Sequence, residues 1–143
     1  MFMLPQLAVA LLVVQETPPA LFGHDVLPIG GAPQRVLAAD VHGDSRPELL
    51  VTKESTDSLD VYAGDGTLIH SEWLSFSPRL MTALHANGDT HLDMLVHSVG
   101  ANLAQLLVGD GTGDFAPMPP FSTPHPAVGT FVADYDGDGD DDV

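Results

Sequence analysis

Short apolar runs alternate with polar, glycine-containing loops along most of the chain. In residues 33–77 the runs are 35–39 (RVLAA), 48–52 (ELLVT), 59–64 (LDVYAG) and 67–73 (TLIHSEW). Each run is short and is bounded by turn residues, a pattern typical of β-strands. No stretch of ten or more residues shows the periodicity of an amphipathic helix. The pattern therefore predicts an all-β fold built from short strands.

The strand pattern repeats with a period of 45 residues. Residues 43–51 (GDSRPELLV) align with 88–96 (GDTHLDMLV), and GDGT occurs at 64–67 and again at 109–112. Two separated blocks that keep one offset indicate an internal repeat. Four short strands in such a period have the size of a β-propeller blade. We therefore predict a partial β-propeller with four-stranded antiparallel blades.

Two complete units and the beginning of a third account for most of the chain. We place the units at 33–77, 78–126 and 127–143, within a repeat region that spans 21–143. A closed propeller needs more units than these, so we expect the chain to be a fragment of a larger protein. Residues 1–20 contain the apolar run LAVALLVV, which fits either a signal-peptide core or a buried strand.

The acidic composition narrows the classes of partner. Twenty Asp and Glu residues stand against four Lys and Arg residues, which gives a formal net charge of -16. This charge repels nucleic acid and anionic membrane surfaces, so we expect no nucleic-acid binding and no membrane insertion of the repeats. Because the chain has no cysteine, neither a disulfide framework nor a thiolate metal site can form.

Catalytic signatures are missing from the sequence. The seven histidines match no zinc-site spacing. No nucleophile-elbow, phosphate-loop or dinucleotide motif is present. We therefore expect this chain not to be an enzyme.

Each unit carries a loop with polar side chains at alternate positions. With the first of them as position 1, the ligand positions are 1, 3, 5 and 9, position 4 is glycine, and position 7 offers its backbone carbonyl. Position 1 of the second loop is His85. The candidate metal ligands are Asp40, His42, Asp44, Arg46 and Glu48 in the first loop, Asn87, Asp89 and Asp93 in the second, and Asp134, Asp136, Asp138, Asp140 and Asp142 in the third.

Alternating oxygen donors predict Ca2+ as the bound ion. Carboxylates that converge when a loop curls repel one another, and a hard dication offsets that repulsion. Ca2+ accepts six to eight oxygens in flexible geometry, whereas Mg2+ requires a tighter octahedron. Carboxylate count ranks the predicted affinities as third loop, first loop, second loop, because His42 and His85 are poor ligands for a hard cation. A solvated acidic turn is the alternative for each loop.

These residues resemble the FG-GAP repeats, also grouped under the VCBS label, of calcium-binding β-propellers such as the integrin alpha head. The motif occurs as Phe22-Gly23 and then Gly31-Ala32-Pro33, followed by an apolar strand and the first acidic loop. In the family, calcium is held through positions 1, 3, 5, 7 and 9. This ligand set carries over to Asp134, Asp136, Asp138 and Asp142 in the third loop and to Asp40, Asp44 and Glu48 in the first, and the sequence departs from it at His85 and Asn87.

The resemblance implies a calcium-binding repeat module of a secreted or cell-surface protein, of a bacterial exported type. Its role would be adhesion, or recognition of an extracellular protein or glycan. Two alternatives stay open. The module could be an accessory, non-catalytic propeller of a secreted hydrolase or lyase. The third loop also shares its first five positions with EF-hand and dockerin-type calcium loops, which lie between helices, although the segment 129–133 (GTFVA) before it has the character of a strand.

Overall fold

The computed structural model describes residues 29–98 and 100–143. Every regular element in these residues is a β-strand, which confirms the predicted all-β class. None of the described residues forms a helix long and apolar enough to cross a membrane. The strands are β1 (Pro33–Ala39), β2 (Glu48–Lys53), β3 (Ser58–Tyr62), β4 (Leu68–Trp73), β5 (Leu80–Leu84), β6 (Asp93–Ser98), β7 (Leu103–Gly109), β8 (Phe115–Pro117) and β9 (Phe121–Ser122). The apolar segment at 1–20 and the Phe22-Gly23 part of the repeat motif lie outside the described residues.

The strands form two antiparallel sheets. The first has the order β1-β2-β3-β4, and the second has the order β5-β6-β7-β8. β8 pairs with the end of β7, while β9 pairs with its beginning. Together β8 and β9 occupy the place of one interrupted fourth strand. Pro119 and Pro120 lie in the interruption, where a residue without a backbone N–H cannot continue the ladder.

The sheets follow the 45-residue period of the sequence. β2 and β6 are each six residues long and begin 45 residues apart, and β3 and β7 begin at the same offset. Each sheet contains the four antiparallel strands that the repeat predicts. Two sheets and the start of a third unit, without closure among the described residues, correspond to a partial propeller.

The main core lies between the two sheets, where β1 runs beside β5. Leu50 and Val61 of the first sheet and Met94, Val96 and Leu107 of the second are fully buried in one apolar cluster. Burial of such side chains stabilises the fold by about 1.5–3 kcal/mol each before entropy is counted. This packing fixes one unit against the next.

The opposite face of the second sheet is also covered in part. Successive strand residues point to opposite faces, so Leu95 and Leu84 face away from the main core. They form a second cluster with Ala104, against which Val132 of the third unit packs. The second sheet thus lies between two apolar contacts. Its central strand β6 is buried along its whole length, which explains why its sequence does not alternate.

A buried ion pair crosses the first sheet. Lys53 Nζ contacts Asp60 Oδ2 and donates a hydrogen bond of 2.7 Å to the Tyr62 hydroxyl. Ser71 Oγ donates a hydrogen bond of 2.7 Å to Asp60 Oδ1. The side chains of Lys53 and Asp60 are only 11% and 5% exposed, so neither charge has water as a substitute partner.

The surroundings favour the charged form of both residues. Desolvation raises the pKa of Asp60, but the hydrogen bonds from Lys53 and Ser71 outweigh it and hold that pKa below its ordinary value. Desolvation lowers the pKa of Lys53, but the bonds to Asp60 and Tyr62 hold it above its ordinary value. The contribution of Asp60 is lost as pH falls through its lowered pKa, and that of Lys53 as pH rises through its raised pKa. The pair is therefore charged between the ordinary values of 3.8 and 10.5.

We predict that Lys53→Met destabilises the fold strongly at pH 7. The substitution leaves the Asp60 carboxylate buried without a cation, which costs about 3–5 kcal/mol in comparable pairs. Urea denaturation followed by circular dichroism measures the loss. The deficit should shrink as the pH falls through the lowered pKa of Asp60, because a protonated carboxyl group needs no cation.

Arg35→Met is the matched control for this substitution. It removes a cation from the adjacent strand β1, where the side chain is exposed. Exposed substitutions of this kind change stability by less than about 0.5 kcal/mol. Equal stability losses in the two variants at pH 7 would show that the ion pair contributes nothing specific.

Candidate metal centres

Three loops of one design carry the candidate ligands. Loop 1 (40–48) joins β1 to β2, and loop 2 (85–93) joins β5 to β6. Loop 3 (134–142) is closed by a β-bridge between Ala133 and Asp142. The strand expected over 129–133 is therefore reduced to the single bridge residue Ala133. No helix adjoins loop 3 in the described residues, in contrast to an EF-hand loop, whose two ends continue into helices.

A glycine at position 4 turns each loop. Gly43, Gly88 and Gly137 have φ angles of 71°, 71° and 80°. A residue with a Cβ adopts this left-handed conformation at a cost of about 1–2 kcal/mol, which glycine avoids. The turn returns the chain toward position 1, as the alternating pattern requires.

One hydrogen bond closes all three loops between positions 2 and 9. Each donor is the backbone N–H at position 2, and each acceptor is the carboxylate at position 9. The pairs are Val41 to Glu48 at 3.1 Å, Ala86 to Asp93 at 2.8 Å, and Tyr135 to Asp142 at 2.8 Å. The acid at position 9 thus has a structural role in every loop, whether or not a metal is bound.

A second shared hydrogen bond orders the middle of each loop. The backbone N–H at position 7 donates to the carboxylate at position 5. The pairs are Arg46 to Asp44 at 2.9 Å, His91 to Asp89 at 2.7 Å, and Asp140 to Asp138 at 2.9 Å. Position 7 takes part through its backbone in each case, so its side chain varies freely among Arg, His and Asp.

Loops 1 and 3 also share the contacts of an aspartate at position 1. Asp40 accepts 2.7 Å bonds from the N–H groups of Gly43 and Ser45. Asp134 accepts the equivalent bonds from Gly137 at 2.7 Å and Gly139 at 3.2 Å. Desolvation raises the pKa of Asp40, but these backbone bonds outweigh it and hold the pKa below its ordinary value. The N–H groups thus favour the ionised form of Asp40.

Loop 3 gathers the donor set that suits a hard cation. Asp134, Asp136 and Asp138 each offer a carboxylate oxygen, and these oxygens lie within 4.8 Å of one another. All three side chains are exposed, so an ion can reach them from solvent. Asp142 is held beside them by its bond to Tyr135. An all-oxygen set of this kind fits Ca2+.

In loop 1 the ninth residue, Glu48, makes the side-chain contacts that link the two ends of the loop. His42 Nδ1 lies 3.2 Å from Glu48 Oε1, and the other oxygen of Glu48 accepts from Val41. Within the described ranges, the close grouping of three ligands forms in loop 3 and not here. Asp40, which is half-buried, and Asp44, which is exposed, are the acids that loop 1 offers to an ion.

The polar side chains of loop 2 already have hydrogen-bond partners within the protein. Asp93 is fully buried, and its two oxygens accept backbone bonds from Ala86 and Gly109 at 2.8 and 2.9 Å. Asn87 and Asp89 bond reciprocally: the Asn87 amide donates to Asp89 Oδ2, and the Asp89 N–H donates to Asn87 Oδ1. Asp93 therefore acts as a buried structural acid in this loop.

Comparison with known protein families supports the repeat family that the sequence predicts. The family described as the FG-GAP-like repeat matches residues 86–143, which include most of loop 2 and all of loop 3. This chain carries an FG-GAP-like repeat. The family predicted from the sequence is thereby confirmed for that range. Neither curated proteins nor solved structures gave a significant match.

The FG-GAP-like repeat is joined to its neighbours by residues outside the ligand pattern. Asp141, at position 8 of loop 3, accepts a 2.8 Å bond from the His85 N–H and donates its own N–H to the His85 carbonyl at 2.9 Å. His70 Nδ1 on β4 lies 2.9 Å from Asp114 Oδ1, in the turn after β7. The sequence did not predict these contacts. In the sequence, Asp141 could have been noticed as an acid in the run 140–142 that occupies no ligand position.

Gly109 packs closely against the backbone of Leu92 within the FG-GAP-like repeat. A Cβ at this position would clash with the Leu92 carbonyl oxygen, which belongs to the backbone. Because backbone cannot move aside as a flexible side chain does, we expect Gly109→Ala to destabilise the fold by about 1–3 kcal/mol. Chemical denaturation measures this loss.

The repeat supplies the control at Gly64, which lies 45 residues before Gly109. A Cβ at Gly64 would meet nothing within 4 Å. We expect Gly64→Ala to leave stability unchanged or to raise it slightly, because alanine restricts the unfolded chain. A loss at Gly64 as large as the loss at Gly109 would contradict the close approach to Leu92.

Proposed function

We propose that this chain is a calcium-binding repeat module, with loop 3 as its strongest site. The observation that carries the proposal is the grouping of Asp134, Asp136 and Asp138 oxygens within 4.8 Å. Three carboxylates at this separation repel one another, and a dication reverses the sign of that interaction. The FG-GAP-like match over loop 3 supports the same assignment.

Calcium suits these ligands better than magnesium or a transition metal. Loop 3 offers only oxygen donors, which are hard ligands, and its flexible acids can supply six to eight contacts. Mg2+ needs near-ideal octahedral geometry and keeps several waters. Imidazole-preferring metals have no nitrogen donor in loop 3. In the proposal loop 1 binds calcium more weakly through Asp40 and Asp44, because Glu48 is engaged by His42 and Val41.

The proposed role of the module is recognition rather than catalysis. Loops 1 and 2 flank a cleft of about 430 Å3 that combines an acid with several imidazoles. The cleft is lined by Asp40, Val41, His42, Gly43, His85, Thr90, His91, Leu92 and Gly111. A surface of this kind on the face that carries the metal loops suits an extracellular protein or glycan, and we propose that the parent protein is secreted or displayed on a cell surface.

Calcium titration of loop 3 variants tests the proposal. We expect the wild-type chain to bind calcium in isothermal titration calorimetry, with magnesium much weaker. Asp136→Asn combined with Asp138→Asn removes two of the three gathered carboxylates. We expect this change to weaken the tightest site by at least about tenfold, or roughly 1.4 kcal/mol.

A matched double variant controls for the loss of charge. Asp65→Asn with Asp110→Asn removes the same charge from the two GDGT turns, where each acid accepts from a threonine N–H that asparagine can also satisfy. Calcium affinity should stay at the wild-type level in this variant. Equal weakening in both double variants would mean that calcium only screens the net acidity, and the loop 3 site would be abandoned.

A further inference from the structure

Loop 2 differs from its two relatives at position 1, where His85 replaces aspartate. In loops 1 and 3 the aspartate at position 1 accepts the N–H groups of positions 4 and 6. A histidine has no oxygen with which to do this. The two hydrogen bonds shared by all loops are nevertheless intact in loop 2. A different contact of His85 takes the place of the missing aspartate bonds.

The replacing contact runs from the imidazole across the loop. His85 Nδ1 lies 2.9 Å from the backbone carbonyl oxygen of His91. A carbonyl oxygen can only accept a hydrogen bond, so Nδ1 must carry the proton and donate it. The bond joins position 1 to position 7.

The other ligand positions of loop 2 are also engaged. Both oxygens of Asp93 accept backbone N–H groups in a fully buried setting. Asn87 and Asp89 bond to each other. Calcium bound through the His91 carbonyl would lie next to the Nδ1–H group that donates to that oxygen, and it would have to break the reciprocal Asn87–Asp89 pair. The residues of loop 2 therefore do not fit a calcium ion.

We infer that loop 2 is a metal-independent loop, in which the Nδ1–H group of His85 takes the place of the ion. This inference replaces the ligand role predicted for Asn87, Asp89 and Asp93. It concerns loop 2 alone and does not require that loops 1 and 3 bind metal.

Loop 2 contacts loop 3, the loop that we propose binds calcium. The backbone of His85 exchanges two hydrogen bonds with Asp141, which lies between two predicted ligands of loop 3. The carboxylate of Asp140 also lies close to Gly88. A loop that is already closed offers loop 3 a fixed support before any ion arrives. His85 is thus a positioning residue for the neighbouring site.

The tautomer of His85 gives a direct test that needs no metal. Long-range proton–nitrogen NMR of the full chain, in chelator and at a pH where the ring is neutral, should show a protonated Nδ1 and an unprotonated Nε2. His125, an exposed histidine in the proline-rich segment, is the reference ring in the same spectrum. An Nε2-protonated His85 would overturn the inference, because the His91 carbonyl would then lack its donor.

Calcium stoichiometry gives the second test. Asp89→Asn in the otherwise wild-type chain should leave calcium affinity and the number of bound ions unchanged. Circular dichroism first establishes that the variant is folded.

Each result separates this inference from the proposed function. Loss of an ion in the single variant Asp89→Asn would show that loop 2 binds calcium and would overturn the inference. If the wild-type chain binds no calcium at all, the proposed function fails, and the tautomer of His85 alone decides the state of loop 2.

Discussion

A hydrogen bond between the second and ninth residues of each loop is the contact on which the repeat depends. Its acceptors, Glu48, Asp93 and Asp142, either begin the second strand of a unit or form the bridge that stands in its place. The bond therefore fixes where the loop ends and which residue enters the ladder. Register matters here, because a shift of one residue would turn every side chain of β2 or β6 to the opposite face.

That register places apolar side chains on both faces of the sheets. β6 is buried along its whole length, with one face in the main core and the other against the third unit. Two buried polar side chains at equivalent positions of the two units each have a partner nearby. In the first unit Asp60 bonds Lys53, and 45 residues later Gln105 donates to the carbonyl of Met118 at 2.8 Å. The repeat thus tolerates a polar residue at this position when a partner is near.

The three loops show how one backbone design accommodates different chemistry. The bonds from position 2 to position 9 and from position 7 to position 5 are present in all of them. Position 1 differs most in its contacts, because an aspartate there accepts backbone N–H groups while His85 reaches the carbonyl of position 7. In our proposals, aspartate there leaves room for an ion between converging oxygens, while His85 bridges the loop by itself. The number of bound ions can then differ between units without a change of fold.

The sequence by itself determined most of the strands of the first two units, the 45-residue period, the glycine turns and the alternation that brings Asp134, Asp136 and Asp138 together. These features depend on residues a few positions apart, so local spacing is enough to predict them. The tertiary structure alone decided two longer-range contacts. The buried Asp93 accepts the N–H of Gly109, 16 residues away, and Asp141 accepts the N–H of His85, 56 residues away. Whether an acid faces solvent or a backbone N–H depends on which distant segment packs against it, and that is settled only when the units fold together.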